Sequence, residues 1–164
     1  MAIFTLTPIG TVASPRSDPL DDDWDSITST ITLDAGQFDA DALKGLDAFS
    51  HVEIVYVFDR VEPDRIQKGA RHPRGNAEWP LVGIFAQRAK ARPNRLGVTV
   101  CRLLKLDGLT ITVHALDALD GTPVLDVKPY MREFSPRGEV RQPDWTGQLM
   151  SSYWTVPTSM STQP

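Results

Sequence analysis

A mainly β domain, closed into a small barrel with short helical excursions, is the fold class this sequence predicts. Three observations carry that prediction. Short runs rich in β-branched and apolar residues recur along the chain, sustained helical periodicity is nearly absent, and Gly, Pro, Asn or Asp punctuate most junctions. Closure is the simplest way for many short strands to hide their edges. A length of 164 residues with 41% apolar content suits one domain with a sizeable core. That domain is expected over 1–150, followed by a Ser-, Thr- and Pro-rich mobile tail over 151–164.

Taken in order, residues 4–12 (FTLTPIGTV) alternate apolar residues with Thr and suggest a strand interrupted at Pro8. The segment RSDPLDDDWDS is too rich in Asp for a packed strand and is expected as a loop anchored by Trp24. Residues 27–33 alternate, with Ile27, Ser29, Ile31 and Leu33 on the buried face. Asp39 is placed to cap a short helix carrying Leu43 and Leu46 that ends near Gly45. Residues 51–59 (HVEIVYVFD) suit a central strand with Glu53 as its one conspicuous charge. The run 60–80 has no clear period and is expected as a functional loop. Residues 81–85 return to β character, and 96–106 with 109–116 form a hairpin across Asp107-Gly108. TPVLDVKPY adds one more short strand, and 131–147, containing Trp145, is expected to wrap over the body.

The formal net charge of −4 conceals an uneven distribution. Residues 60–95 hold nine Lys or Arg against three acids, whereas 18–25 hold five acids and no base. A basic segment on an acidic chain suits a single anionic partner; a solvated face is the plainer reading for any one Arg. Three His and a single Cys match no zinc spacing, so no metal is expected. Cys101 lies in an apolar run and is expected as a buried, inert thiol. Neither a membrane-spanning run nor a secretory leader is recognised, which makes a cytoplasmic location the expectation.

Two loops flank the predicted hairpin and carry the functional signal. The first, 88–97, holds four cations, a Pro, an Asn and a closing Gly between two apolar runs. In it, Pro93 restricts Arg92 to an extended conformation and Asn94 supports a tight turn, so these residues have a structural reading of their own. The second, 117–130, alternates acids with apolar residues around Gly121-Thr122-Pro123 and ends in Lys128-Pro129-Tyr130. Gly121 is the position in it most suited to a positive φ. No Gly-rich phosphate fingerprint of the dinucleotide folds is present.

The combination FAQRAKARPNRLGVTV followed by LDALDGTPVLDVKPY resembles the TsaA-like (TrmO) family, whose characterised members are S-adenosylmethionine-dependent methyltransferases acting on modified tRNA adenosine. Weaker similarity runs through Pro8-Ile9-Gly10, Ser14-Pro15 and 46–51, so the resemblance covers most of the chain to about Tyr130. It implies a small β-barrel, usually a homodimer, with S-adenosylmethionine as cofactor and tRNA as partner. Arg88 falls at the family's cofactor-binding Arg after the Phe-Ala pair, and Val98 at the apolar position after the turn. Leu116, Asp117, Ala118, Leu119 and Asp120 correspond to a cofactor-lining segment, and Phe58, Asp59 and Arg60 to a further contact region. In physical terms Arg88 suits a carboxylate, and Asp117 a ribose hydroxyl or an ammonium. Asp120 is equally suited to capping the turn before Gly121. Asp126, Lys128 and Tyr130 are the catalytic candidates, Asp126 as proton acceptor and the other two as orienting groups, with a same-face Asp126–Lys128 ion pair as the alternative.

One departure from the family pattern is visible. Where members carry a cofactor-contacting Pro-Arg-Gln, this sequence has Asp22-Asp23-Trp24, which makes Asp23 and Trp24 the candidates at that position. The sequence also ends soon after the barrel, where longer members continue into a further domain that helps to hold tRNA. The leading reading is methyl transfer to N6 of threonylcarbamoyladenosine beside the tRNA anticodon. In it the basic segment meets phosphates and Trp24 or Trp79 stacks on a base. The alternatives are a same-fold methyltransferase on another substrate and a non-catalytic nucleotide- or RNA-binding barrel.

Overall fold

In the computed structural model, which describes residues 3–154, six strands close into an antiparallel barrel. The strands in chain order are β1 (Gly10–Ala13), β2 (Thr28–Leu33), β3 (His51–Val57), β4 (Ala70–Arg71), β5 (Val82–Gly83), β6 (Leu96–Asp107), β7 (Thr110–His114) and β8 (Pro123–Pro129). Around the barrel they run β1-β2-β7-β6-β3-β8, with β8 returning to β1. Alternation decides which face is inside. Ser29, Ile31 and Leu33 of β2 and Val52, Ile54 and Tyr56 of β3 point inward, as the sequence phase requires. They meet Val12, Cys101, Ile111, Val113, Leu116 and Val124 in one core. Burial pushes the Cys101 thiol pKa up, in keeping with an unreactive role.

The 107–108 turn, the Asp39 cap and the short β8 all form where the sequence places them. Gly108 has φ 55° in the β6–β7 turn, and the Asp39 carboxylate accepts the Asp41 amide at the start of a 3-10 turn, Ala40–Leu43. Gly121 has φ 82°, the left-handed conformation expected there.

Two predicted strands are corrected. Of 4–12, only the end is strand: Ile3, Phe4 and Leu6 are exposed and β1 starts at Gly10. The alternation was real, but Pro8 lacks the N–H a ladder needs and nothing in the described residues packs on the apolar side chains before it. Residues 81–85 do not enter the barrel. Val82–Gly83 pairs with Ala70–Arg71 in a separate two-stranded ribbon, and Ile84–Ala86 turns into a 3-10 segment that leaves Phe85 exposed. The expected loop 60–80 is therefore folded into this ribbon with short 3-10 turns at Pro63–Arg65 and Pro73–Gly75.

Among the described residues, one α-helix follows the barrel, α1 (Asp144–Met150), and Trp145 on it packs against Trp79 with ring centroids 6.5 Å apart. The expected tail over 151–164 falls mostly outside the described residues. Its first four residues are described: the carbonyls of Ser152, Tyr153 and Trp154 accept the amides of Asp23, Trp24 and Asp25 at 2.9–3.0 Å.

Gly97 on β6 has a packing requirement of its own. A Cβ there would overlap the ring of buried Tyr56 on the neighbouring strand, well inside van der Waals contact. Gly97→Ala is expected to cost about 1–3 kcal/mol by overpacking, read as a lower urea midpoint at unchanged m-value. An unchanged midpoint would show that Tyr56 relaxes without cost.

Candidate functional site

Where β3, β6 and the β7–β8 connection meet, the barrel opens into a cleft of about 1310 Å³. The ribbon, the 88–97 loop, the acidic loop and α1 with the turn after it wall the cleft. Its base is the Asp117 carboxylate. Oδ1 accepts the Tyr56 hydroxyl at 2.7 Å and the Thr99 hydroxyl, and Oδ2 accepts the Tyr153 hydroxyl. Tyr56 and Thr99 are buried inward-facing residues of β3 and β6, so the barrel itself delivers two of the three donors. Burial first, and the Asp117 charge second, push both the Tyr56 and Tyr153 phenol pKa values above the ordinary range. Both phenols are therefore neutral donors at physiological pH.

Six of the nine cations of the 60–95 segment hydrogen-bond within the protein, two of them to carboxylates. Arg74 makes a two-pronged contact with Asp22 at 3.0 and 2.7 Å, and Lys90 pairs with Asp21 at 3.3 Å. The hydrogen bond to Asp22 raises the Arg74 pKa. Arg60 donates to the carbonyls of Ser17 and Asp120, Arg88 to Val98, Arg92 to Gln87 and Arg95 to Val61. Opposite charges that are separate in sequence thus meet across the cleft rim. Asp23, Arg74, Arg95 and Ala115 take left-handed backbone conformations, with φ between 49° and 65°, in and around these loops.

Of the sequence-predicted site residues, the cleft brings together Phe58, Asp59, Arg60, Arg88, Val98, Asp117, Ala118, Leu119 and Trp24. Leu116 is fully buried in the core and Asp120 lies outside the lining, its carboxylate accepting the amide of Ser14, distant in sequence, rather than capping its own turn. Asp23 is also outside, its carbonyl accepting from Arg16 and Ser26. Trp24 is 5% exposed with the Arg16 guanidinium 4.3 Å from its ring centroid, so it has no open face for a base. Trp79 is outside the lining, where it donates its Nε1–H to Gln148 and lies against Trp145.

Asp126, Lys128 and Tyr130 do not reach the cleft. Asp126 and Lys128 form the ion pair that the alternative reading anticipated, on a strand whose Val124 and Val127 turn to the core. Tyr130 exchanges a hydrogen bond with Ser135 at 2.6 Å.

Sequence reasoning passed over Tyr56, Thr99, Arg71 and Tyr153. The inward phase of Tyr56 and Thr99 was readable, but not that a carboxylate from a distant loop would meet them. Arg71 lines the cleft with its buried Nε lacking any hydrogen-bond partner, and its only sequence signal is membership of the basic run.

The sequence profile of the tRNA-methyltransferase O N-terminal domain matches residues 13–135. The chain belongs to the TrmO N-terminal domain family. It is 34% identical over 138 residues to a probable S-adenosyl-L-methionine-binding protein of Pyrococcus abyssi, covering 82% of this chain and 72% of that one. It is 34% identical over 142 residues to the tRNA (adenine(37)-N6)-methyltransferase of Escherichia coli, covering 80% of this chain and 59% of the relative. With the human tRNA (adenine(37)-N6)-methyltransferase the identity is 37% over 102 residues, or 62% of this chain and 23% of the relative. A crystal structure of TrmO from Pseudomonas aeruginosa superimposes with a TM-score of 0.71 at 26% identity, covering 88% of this chain and 62% of that one. The chain thus spans less than two thirds of both tRNA methyltransferases and of that TrmO structure. The closed barrel is the family's fold.

The raised phenol of Tyr153 has a measurable consequence. Its unfolded-state counterpart ionises near pH 10, so folding favours the protonated form. The stabilisation is complete below about pH 10 and is lost as pH rises toward the folded value. The unfolding midpoint of the native chain is expected to fall above about pH 10, and that of Tyr153→Phe to fall less steeply. Equal slopes would show that Tyr153 is not buried against Asp117 in solution.

Proposed function

We propose that the chain is an S-adenosylmethionine-dependent methyltransferase that methylates N6 of an adenosine beside the tRNA anticodon, with threonylcarbamoyladenosine as the acceptor. Family membership supports the reaction class, and the cleft supports it in this chain. The single observation that carries the reading is Arg71, a guanidinium in the cleft wall whose buried Nε has no partner. Arg71 lines the cleft, and the donor's methionyl carboxylate is an anion of the kind a guanidinium grips.

The rest of the cleft fits the same group. Phe58, Leu96 and Val98 offer apolar surface for an adenine, and Asp59 and Asp117 offer oxygens to a ribose or an ammonium. Arg88, anchored by its bond to the Val98 carbonyl, adds a second cation. A volume of about 1310 Å³ exceeds the roughly 300–1,000 Å³ typical of one small ligand and leaves room for an acceptor base. Bound S-adenosylmethionine supplies a methyl group on a sulfonium sulfur. The chain's own residues have to align the acceptor in line with it and keep water away. Tyr56 and Thr99 hold the Asp117 carboxylate in one orientation, and α1 with Tyr153 closes the side of the cleft that the barrel leaves open. No covalent nucleophile is required. A homodimer and a cytoplasmic setting complete the proposal, both resting on the family resemblance.

Calorimetric titration with S-adenosylmethionine and with its demethylated product tests the reading. Arg71→Met and Arg88→Ala are each expected to weaken donor binding about 10- to 100-fold, the range of a lost charge-assisted hydrogen bond, with little change in melting temperature. Native-like donor affinity in both variants would remove these residues from the site. Absence of donor binding by the unmodified chain, with RNA binding retained, would return the fold to the non-catalytic reading.

A further inference from the structure

Outside the cleft, three side chains line up across neighbouring strands. His51 on β3 pairs in register with Arg102 on β6, and Arg102 pairs with His114 on β7. Directly paired residues share a face, so all three project outward together, and they line a second, open hollow of about 320 Å³. Arg102 is exposed and has no hydrogen-bond or ion-pair partner among the described residues, in contrast to the engaged arginines of the cleft rim. Facing the row are Asp25, whose carboxylate is 3.9 Å from His114, and Glu53, which shares the His51 face of β3 two residues along. Ser50 bonds the His51 Nδ1 at 2.8 Å.

The hollow also contains Trp154 and Val100, and both of these residues line the cleft as well. On β6, Val98, Val100 and Arg102 follow one another on the outer face, so Arg102 stands about 13 Å along the strand from the cleft-lining Val98. Trp154 is 37% exposed, unlike buried Trp24. A partly open indole beside a free guanidinium and two imidazoles meets the two demands of a nucleotide unit, a stacking surface for the base and donors for the phosphate.

We propose that this row and Trp154 form a subsite for single-stranded RNA, holding the chain beside the base that enters the cleft. Arg102, His51 and His114 donate to a phosphodiester, and Trp154 stacks on a flanking base. The inference rests on the RNA-methylating reading for the direction of the strand, but its test does not depend on donor binding.

The test is fluorescence anisotropy of the full chain with a labelled single-stranded RNA of anticodon-loop length, over a series of salt concentrations. Arg102→Gln is expected to weaken binding several-fold and to lower the slope of log affinity against log salt by about 0.7, the value for one phosphate contact on a single strand. Trp154→Ala is expected to weaken binding at an unchanged salt slope, because stacking releases no counterion. Donor affinity by calorimetry is expected to stay at the unmodified value in Arg102→Gln, whose side chain is exposed and unpartnered. Equal RNA affinity and equal slope in Arg102→Gln and the unmodified chain would overturn the subsite, as would an unmodified chain that binds no RNA. Tight binding of inorganic phosphate abolished by Arg102→Gln, with RNA binding unaffected, would assign the row to a free phosphate instead. Loss of donor binding in the unmodified chain bears on the proposed function alone.

Discussion

Three hydroxyls converge on one carboxylate at the mouth of this barrel, and the arrangement of the cleft follows from them. Asp117 comes from the connection between β7 and β8, Tyr56 and Thr99 from adjacent strands β3 and β6, and Tyr153 from the segment after the last helix. A partly buried carboxylate needs donors to offset the solvation it gives up, and each donor here ties in a different part of the chain. The barrel mouth, the β7–β8 loop and the carboxy-terminal wall are thereby joined at one point. Gly97 is part of the same constraint, since a Cβ there would overlap the Tyr56 ring.

Electrostatics organise the second layer. The acidic loop and the basic segment are far apart in sequence, and they neutralise one another around the cleft through Asp22–Arg74 and Asp21–Lys90. These two exposed pairs contribute modestly to stability and more to loop placement. Arg71 lines the cleft with an Nε that has no partner, and Arg102 lines the second hollow. The same pairing also accounts for the acids that stand where family members carry Pro-Arg-Gln. Asp22 provides an anchor for Arg74 rather than a contact in the cleft.

Legibility differed from element to element for physical reasons. The faces of β2 and β3, the 107–108 turn and the Asp39 cap are local properties, set by alternation or by a side chain bonding its own backbone, and they could be read directly. Residues 4–12 and 81–85 show the limit of alternation, which reports a face suited to burial but not whether a neighbour arrives to cover it. Among the cleft-lining residues, 58–60, Arg88, Val98 and 117–119 were reachable through the family pattern. Tyr153 was not, because it sits in a Ser- and Thr-rich stretch whose composition matches a mobile end.

By itself the sequence determined the class of fold, the phase of the principal strands, the positions of the tight turns and the two loops that flank the β6–β7 hairpin. All of these depend on interactions within a few residues, or on a pattern long enough to be recognised whole. Tertiary structure alone decided which cations meet a carboxylate and which carboxylate becomes the centre of the cleft. The physical reason is that a charged side chain is defined by its partners. Those partners, such as Asp22 for Arg74 or Tyr153 for Asp117, lie tens of residues away and meet only when the barrel closes.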